Sequence, residues 1–113
     1  MARYLENTMA WIWLLLSGLV EIVWSVSLKF ADGFTKLWPT VVVIISGLVS
    51  MALLSLALRG ISMGTAYAVW AGIGAVGVAV TGMILFGESR EALRLLSIVA
   101  IIAGIVGLKL TAT

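Results

Sequence analysis

Four apolar stretches, each roughly twenty residues long, occupy about 9–30, 37–58, 63–86 and 92–110 of this chain. At about 1.5 Å of rise per residue, a helix of that length is about 30 Å long, the thickness of a bilayer's hydrocarbon core. No water reaches peptide groups at that depth, so each stretch must close its own hydrogen bonds as a helix. A β-barrel is excluded, because the stretches lack period-2 alternation and are too long for barrel strands. Short polar connections make neighbouring helices antiparallel: Lys29, Asp32 and Lys36 mark the first, Arg59-Gly60 the second, and Glu88-Ser89-Arg90-Glu91 the third. Pro39 falls in the first turn of the second helix, where its missing N–H costs nothing. The reading is an all-α membrane protein with four transmembrane helices per chain and one domain over 9–113. Residues 1–8, which include Arg3 and Glu6, read as a disordered N-terminal extension. The first stretch is too long for the apolar region of a signal peptide and has no small-residue cleavage site after it.

Composition agrees with a membrane protein and narrows the chemistry. Hydrophobic residues make up 63% of the chain and charged residues 11%, against about 45–50% and about 25% in ordinary soluble domains. There is no Cys and no His, which removes thiolate and imidazole chemistry and with it a zinc site. A net charge of +2 is too small to indicate nucleic acid. The chain is therefore expected to be no enzyme and to need no cofactor or metal.

Glu21 is the exception inside this apolar sequence. From Met9 to Leu28 it is the only ionisable side chain, at a depth where an acid costs at least about 2.5–3.5 kcal/mol on insertion scales. Binding a cation, a proton, or each in turn is the function such a carboxylate suggests; the bland alternative is a protonated structural carboxyl. Helical spacing puts Ser17, Gly18, Glu21, Trp24, Ser25 and Leu28 on one stripe, whose small and polar members look toward protein or water. Trp11, Trp13 and Trp38 suit the interfacial aromatic belts, whereas Trp24 lies too deep. Trp24 either packs between helices or walls a cation pocket and offers its indole N–H to the carboxylate.

The other helices add fewer signals. Ser46 and Ser50 stand four apart on the second helix, where serines often bond only their own backbone. On the third, Tyr67 shares a face with Ala71 and Gly74, Trp70 borders it, and the tyrosine hydroxyl at that depth needs a partner such as a carboxylate. Residues 72–77, GIGAVG, match a dinucleotide fingerprint, but no strand precedes them and they lie inside a span. Their reading is mechanical: Gly72, Gly74 and Gly77 permit a kink or close approach in the third helix. The fourth helix carries Ser97, Ala100, Ala103, Gly104 and Gly107, small residues suited either to dimerisation or to packing within the chain.

Four spans place Arg3, Arg59 and Lys109 on one side and Lys29, Lys36, Arg90 and Arg94 on the other. Three against four is almost no bias under the positive-inside rule. Either one topology is weakly determined, or the chain inserts both ways up and pairs antiparallel with itself. Four short helices are also too few to enclose a solute pathway, which favours a dimer with two copies of Glu21.

Taken together, Glu21, the segments LKFADGFTKLWP at 28–39 and GTAYAVW at 64–70, and the small-residue fourth helix resemble the small multidrug resistance family of proton-coupled exporters. The resemblance covers essentially everything from Met9 onward. GLVEIVWSVSLK, with Trp24 three residues after the acid, is similar to the guanidinium-exporting branch. Ser50 in GLVSMALLSLA and GIGAVG after Trp70 fit that branch too. The resemblance implies a proton-coupled antiporter of guanidinium and small substituted guanidinium ions, working as an antiparallel dual-topology homodimer in the bacterial inner membrane. The alternative is a broader exporter of quaternary ammonium or other hydrophobic cations. The implied substrate- and proton-binding set is Glu21 with Gly18, Trp24, Ser50, Tyr67 and Trp70. Ala71 departs from the branch, which commonly has a hydroxyl residue there. The implied partners are the cation, protons, the bilayer and a second copy.

Overall fold

The computed structural model describes residues 2–111, with side chains from Thr8 onward. Among them are four α-helices: α1 (Ala2–Phe30), α2 (Leu37–Ala57), α3 (Met63–Leu85) and α4 (Ala92–Thr111). The boundaries of α2, α3 and α4 fall within one residue of those expected from hydropathy. The helical backbone of α1 begins at Ala2, ahead of the expected start at Met9, and its membrane-length part is Thr8–Phe30. Met1 lies outside the described residues. Hydroxyls inside the spans turn back on their own helix: Ser46 donates to the Val42 carbonyl at 2.6 Å, Thr81 to Gly77 at 2.7 Å and Ser97 to Leu93 at 2.8 Å. Each satisfies a polar group that lipid could not.

Each turn has its own backbone device. Asp32, Gly33 and Phe34 take φ values of +47, +68 and +66°, three left-handed residues in a row. Thr35 closes this turn, its hydroxyl donating to the Asp32 carbonyl at 2.8 Å and its N–H to Ala31 at 2.9 Å. At the second turn Gly60 and Ile61 both donate to the Ala57 carbonyl at 3.1 Å, which tucks Ile61 into the core. At the third, Gly87 sits at φ +63° and the N–H groups of Phe86 and Glu88 converge on the Gly82 carbonyl. Glu88 then pairs with Arg94 at 2.7 Å and fixes the start of α4.

The helices form a row rather than a closed bundle. α1 lies against α2 on one side and α3 on the other, α4 lies against the outside of α3, and α2 barely meets α3. The Cα envelope is accordingly a slab, 47 × 36 × 18 Å. Close approach explains the order. A Cβ at Gly18 would stand 2.6 Å from the Ile73 side chain, and one at Gly72 2.9 Å from Ile105. A Cβ at Gly77 would collide outright with Ile22.

The best-packed region is the end of the row where α1 starts, α2 finishes and α3 begins. Ala10, Leu14, Leu54, Ala57, Ile61, Ala66 and Val69 form that core, with Trp11 and Trp13 packed on its edge. At the opposite end Phe30 and Phe86 meet at 5.7 Å, with Lys29 Nζ 4.2 Å from the Phe86 ring centroid. α4 contributes no buried residue. Leu14 is fully buried. Because lipid solvates apolar groups as well as protein does, truncating it should cost mainly the lost packing. Leu14→Ala is expected to lower unfolding free energy by about 2 kcal/mol, the low end of the soluble range, as read by reversible unfolding in mixed micelles.

Candidate functional site

Three helices bring their polar residues to one place. α1 presents Glu21 and Trp24 one turn apart, α2 presents Gly47 and Ser50, and α3 presents Trp70 and Gly74. Glu21, Trp24, Ser50 and Trp70 share the wall of a cavity of about 510 Å³, within the about 300–1,000 Å³ usual for ligand sites. The rest of the wall is apolar, mostly α2, with Phe34 reaching in from the first turn.

Glu21 is the one acid on this wall. Its Oε2 is buried and has no hydrogen-bond partner among the described residues. Gly74 makes its position possible, since a Cβ there would collide with the carboxylate. A buried carboxylate oxygen without a donor is costly, and the residue that carries it is on the cavity wall.

Beside it, α1 and α2 are joined by a reciprocal serine pair. Ser17 Oγ donates to the Ser50 carbonyl at 2.7 Å, Ser50 Oγ donates to the Ser17 carbonyl at 3.0 Å, and the two hydroxyls lie 3.2 Å apart. Trp70 joins α3 to this pair through its Nε1–H, 3.1 Å from Ser50 Oγ. Ser50 thus bonds across helices, unlike Ser46, which bonds its own backbone.

The other expected site residues are placed as follows. Trp24 approaches α2 closely, with its indole nitrogen 3.1 Å from where a Gly47 Cβ would be. No hydrogen bond joins it to Glu21 among the described residues. Gly18 meets Ile73 at the α1–α3 contact and is not part of the cavity wall. Tyr67 packs its ring on Trp70 at 5.4 Å and is 58% exposed; it is not on the cavity wall, and no hydrogen bond joins it to Glu21 among the described residues. Gly72, Gly74 and Gly77 lie in one continuous helix and make room for α4, for the Glu21 carboxylate and for α1 respectively. Ser97, Ala100, Gly104 and Gly107 are exposed along α4.

Two contributors escape a reading of the sequence alone. Ser17 stands out only as a member of the Glu21 stripe, and its bond to Ser50 needs the α1–α2 register. Gly47, three residues before Ser50 and so on the same face, was the available signal for a close approach on α2.

Comparison with known proteins then bears on this geometry. A family model described as Small Multidrug Resistance protein matches residues 9–101. A protein of Citrobacter freundii named guanidinium exporter is 55% identical over 103 residues, covering 91% of this chain and 98% of its own. The guanidinium exporter of Salmonella typhimurium strain LT2 is 55% identical over 104 residues, 92% of this chain and 99% of its own. That of Proteus vulgaris is 55% identical over 102 residues, 90% and 98% respectively.

Removing one hydroxyl of the serine pair should be measurable. Ser17→Ala is expected to cost about 0.5–1.5 kcal/mol, the range for interhelical hydrogen bonds in membranes. Unfolding of Ser17→Ala, Ser50→Ala and the double variant should show a coupling energy between the two positions.

Proposed function

This chain belongs to the small multidrug resistance family, and from that premise we propose that it exports guanidinium. It is a multi-pass protein of the bacterial inner membrane and a transporter, so it makes and breaks no covalent bond. One observation carries the substrate reading: the donorless Glu21 carboxylate on a cavity wall that also holds two indoles. Guanidinium is planar, permanently charged and edged with N–H donors in fixed directions, so it can fill both carboxylate oxygens in a fork. Trp24 and Trp70 supply flat apolar walls on which such a cation is favourably held. The identity with guanidinium exporters over nearly the whole chain supports the same choice.

The coupling ion in this reading is the proton. Glu21 is the only acid in the middle of the membrane, so proton and cation compete for the same oxygens. Exchange follows when the loaded forms cross and the empty, ionised form does not. Gly72, Gly74 and Gly77 give α3 the latitude to bend as access alternates.

The working unit in this reading is an antiparallel homodimer. The cavity wall includes Ile44, Leu48 and Met51, all more than half exposed in the single chain, so the site is covered only when a second copy closes it. Tyr67 is exposed beside Trp70, and in this reading a carboxylate of the second copy would serve its hydroxyl. The small residues of α4 offer a close-packing surface to the second copy. The near-even charge tally suits insertion in both orientations. Two neighbouring Glu21 carboxylates would titrate as one coupled unit.

Glu21→Gln keeps the shape of the side chain and removes its charge. Liposomes carrying this variant are expected to lose proton-driven guanidinium uptake and its pH dependence. Near-normal exchange by folded Glu21→Gln would overturn the mechanism. Glu21→Asp should transport with a displaced pH profile.

The cavity is roomier than guanidinium needs, and Ala71 leaves out a hydroxyl the branch commonly carries. Guanylurea and methylguanidinium should therefore compete with guanidinium for uptake. Trp24→Ala should shift relative uptake toward larger cations by about tenfold, the scale of a pocket-filling contact.

Antiparallel pairing has its own test. Single cysteines at either terminus should label from both sides of the membrane in comparable amounts, and a strongly one-sided pattern would refute it.

A further inference from the structure

A second cavity lies on the other side of α1. It is a groove of about 680 Å³ where α1, α3 and α4 meet, walled by Ile12, Leu15, Val69, Ile73 and Ile105. Polar groups stand at one end only: Thr8, Trp11 and Lys109. Lys109 is in the last turn of α4 and Trp11 is near the start of the α1 span, so this end is at the membrane surface. The ammonium of Lys109 is held 4.7 Å from the Trp11 ring centroid. Among the described residues it has no acidic partner, the Arg94–Glu88 bridge being the only ion pair there.

The groove is separate from the transport site and from the surfaces proposed to pair. At about 100° per residue, Ile12 and Leu15 stand roughly 120–180° around α1 from Glu21. By the same measure Lys109 stands roughly 140–160° around α4 from Gly104 and Gly107. A second copy that covers the cavity and the small-residue face of α4 leaves this groove open to lipid. Ile12 and Leu15 are 45% and 51% exposed within it.

We propose that this groove is a binding site for one anionic glycerophospholipid per chain. An acyl chain lies along Ile12, Leu15, Ile73 and Ile105, and the phosphate sits against Lys109 at the mouth. Charge selects the occupant. A basic residue at the polar end of an interhelical apolar groove favours a headgroup with net negative charge. A zwitterionic choline headgroup brings a second cation toward Lys109 and loses that advantage. The indole of Trp11 contributes twice, by holding the ammonium over its face and by offering an interfacial N–H.

The test is native mass spectrometry of the full-length protein in detergent, with phosphatidylglycerol and phosphatidylcholine of identical chains in competition. One phosphatidylglycerol per chain should survive activation that strips phosphatidylcholine, with a preference of about fivefold, the factor expected from one lysine near an anionic surface. Lys109→Gln should erase the preference and Lys109→Arg should keep it. Ile105→Trp, which fills the groove, should reduce retention of both lipids. Guanidinium affinity in detergent should be the same in Lys109→Gln as in the wild type, so the outcome is independent of the transport reading. Equal retention of the two lipids by the wild type, or a preference that survives Lys109→Gln, would refute the site. So would displacement of the lipid by glycerol 3-phosphate, which carries the headgroup without chains and would mark a phosphate site only. Absence of any bound lipid from the intact dimer would mean that protein covers the groove, and would refute it too.

Discussion

Lipid tails are as good a solvent for leucine as another leucine is, so helices in a bilayer gain little from burying apolar surface. What remains is contact at short range, and this structure depends on it. Gly18 admits Ile73, Gly72 admits Ile105, and Gly77 admits Ile22. These close approaches set α1 against α3 and α3 against α4. Between α1 and α2 polar bonds join the close approach of Trp24 to Gly47: the Ser17–Ser50 pair holds the two helices, and Trp70 adds α3. With few contacts across the row, each one decides more than it would in a soluble core.

The carboxylate follows the same rule in reverse. Gly74 removes a side chain so that Glu21 can stand on α3, yet none of the described residues supplies a donor to Oε2. Two neighbouring polar groups are engaged elsewhere, Ser50 with Ser17 and Trp70 with Ser50. In the proposed reading, an acceptor left open in this way favours a ligand that brings its own N–H groups or its own proton. Framework and binding group are separate in that reading, so the acid would change partners while the Ser17–Ser50 and Trp70–Ser50 bonds keep the helices joined.

Span lengths, turns and the isolation of Glu21 are legible in the sequence because the bilayer imposes them residue by residue. The stripe holding Glu21 and Trp24 is legible for the same reason, since polarity breaks the monotony of α1. Pairing between helices is another matter. α2 and α3 carry only scattered hydroxyls on otherwise apolar faces, so polarity says little about which face meets which neighbour, and the separate tasks of Gly72, Gly74 and Gly77 appear only with the packing. The orientation of Tyr67 and the contact of Trp24 with Gly47 depend on helix rotation, which hydropathy does not encode. Ser46 and Ser50 are indistinguishable by type and spacing, yet one bonds its own helix and the other joins two.

A row has a beginning and an end, and here they follow the order of synthesis. α1 and α2 emerge first and can complete the serine pair with nothing else present. α3 then docks on α1 and delivers Trp70 and Gly74, at which point every residue this chain gives to the wall of the Glu21 cavity has been made. α4 arrives last and meets only α3 at backbone distance. Each helix therefore finds its main neighbour already in the membrane when it leaves the ribosome. No early segment has to wait, unpaired, for a late one.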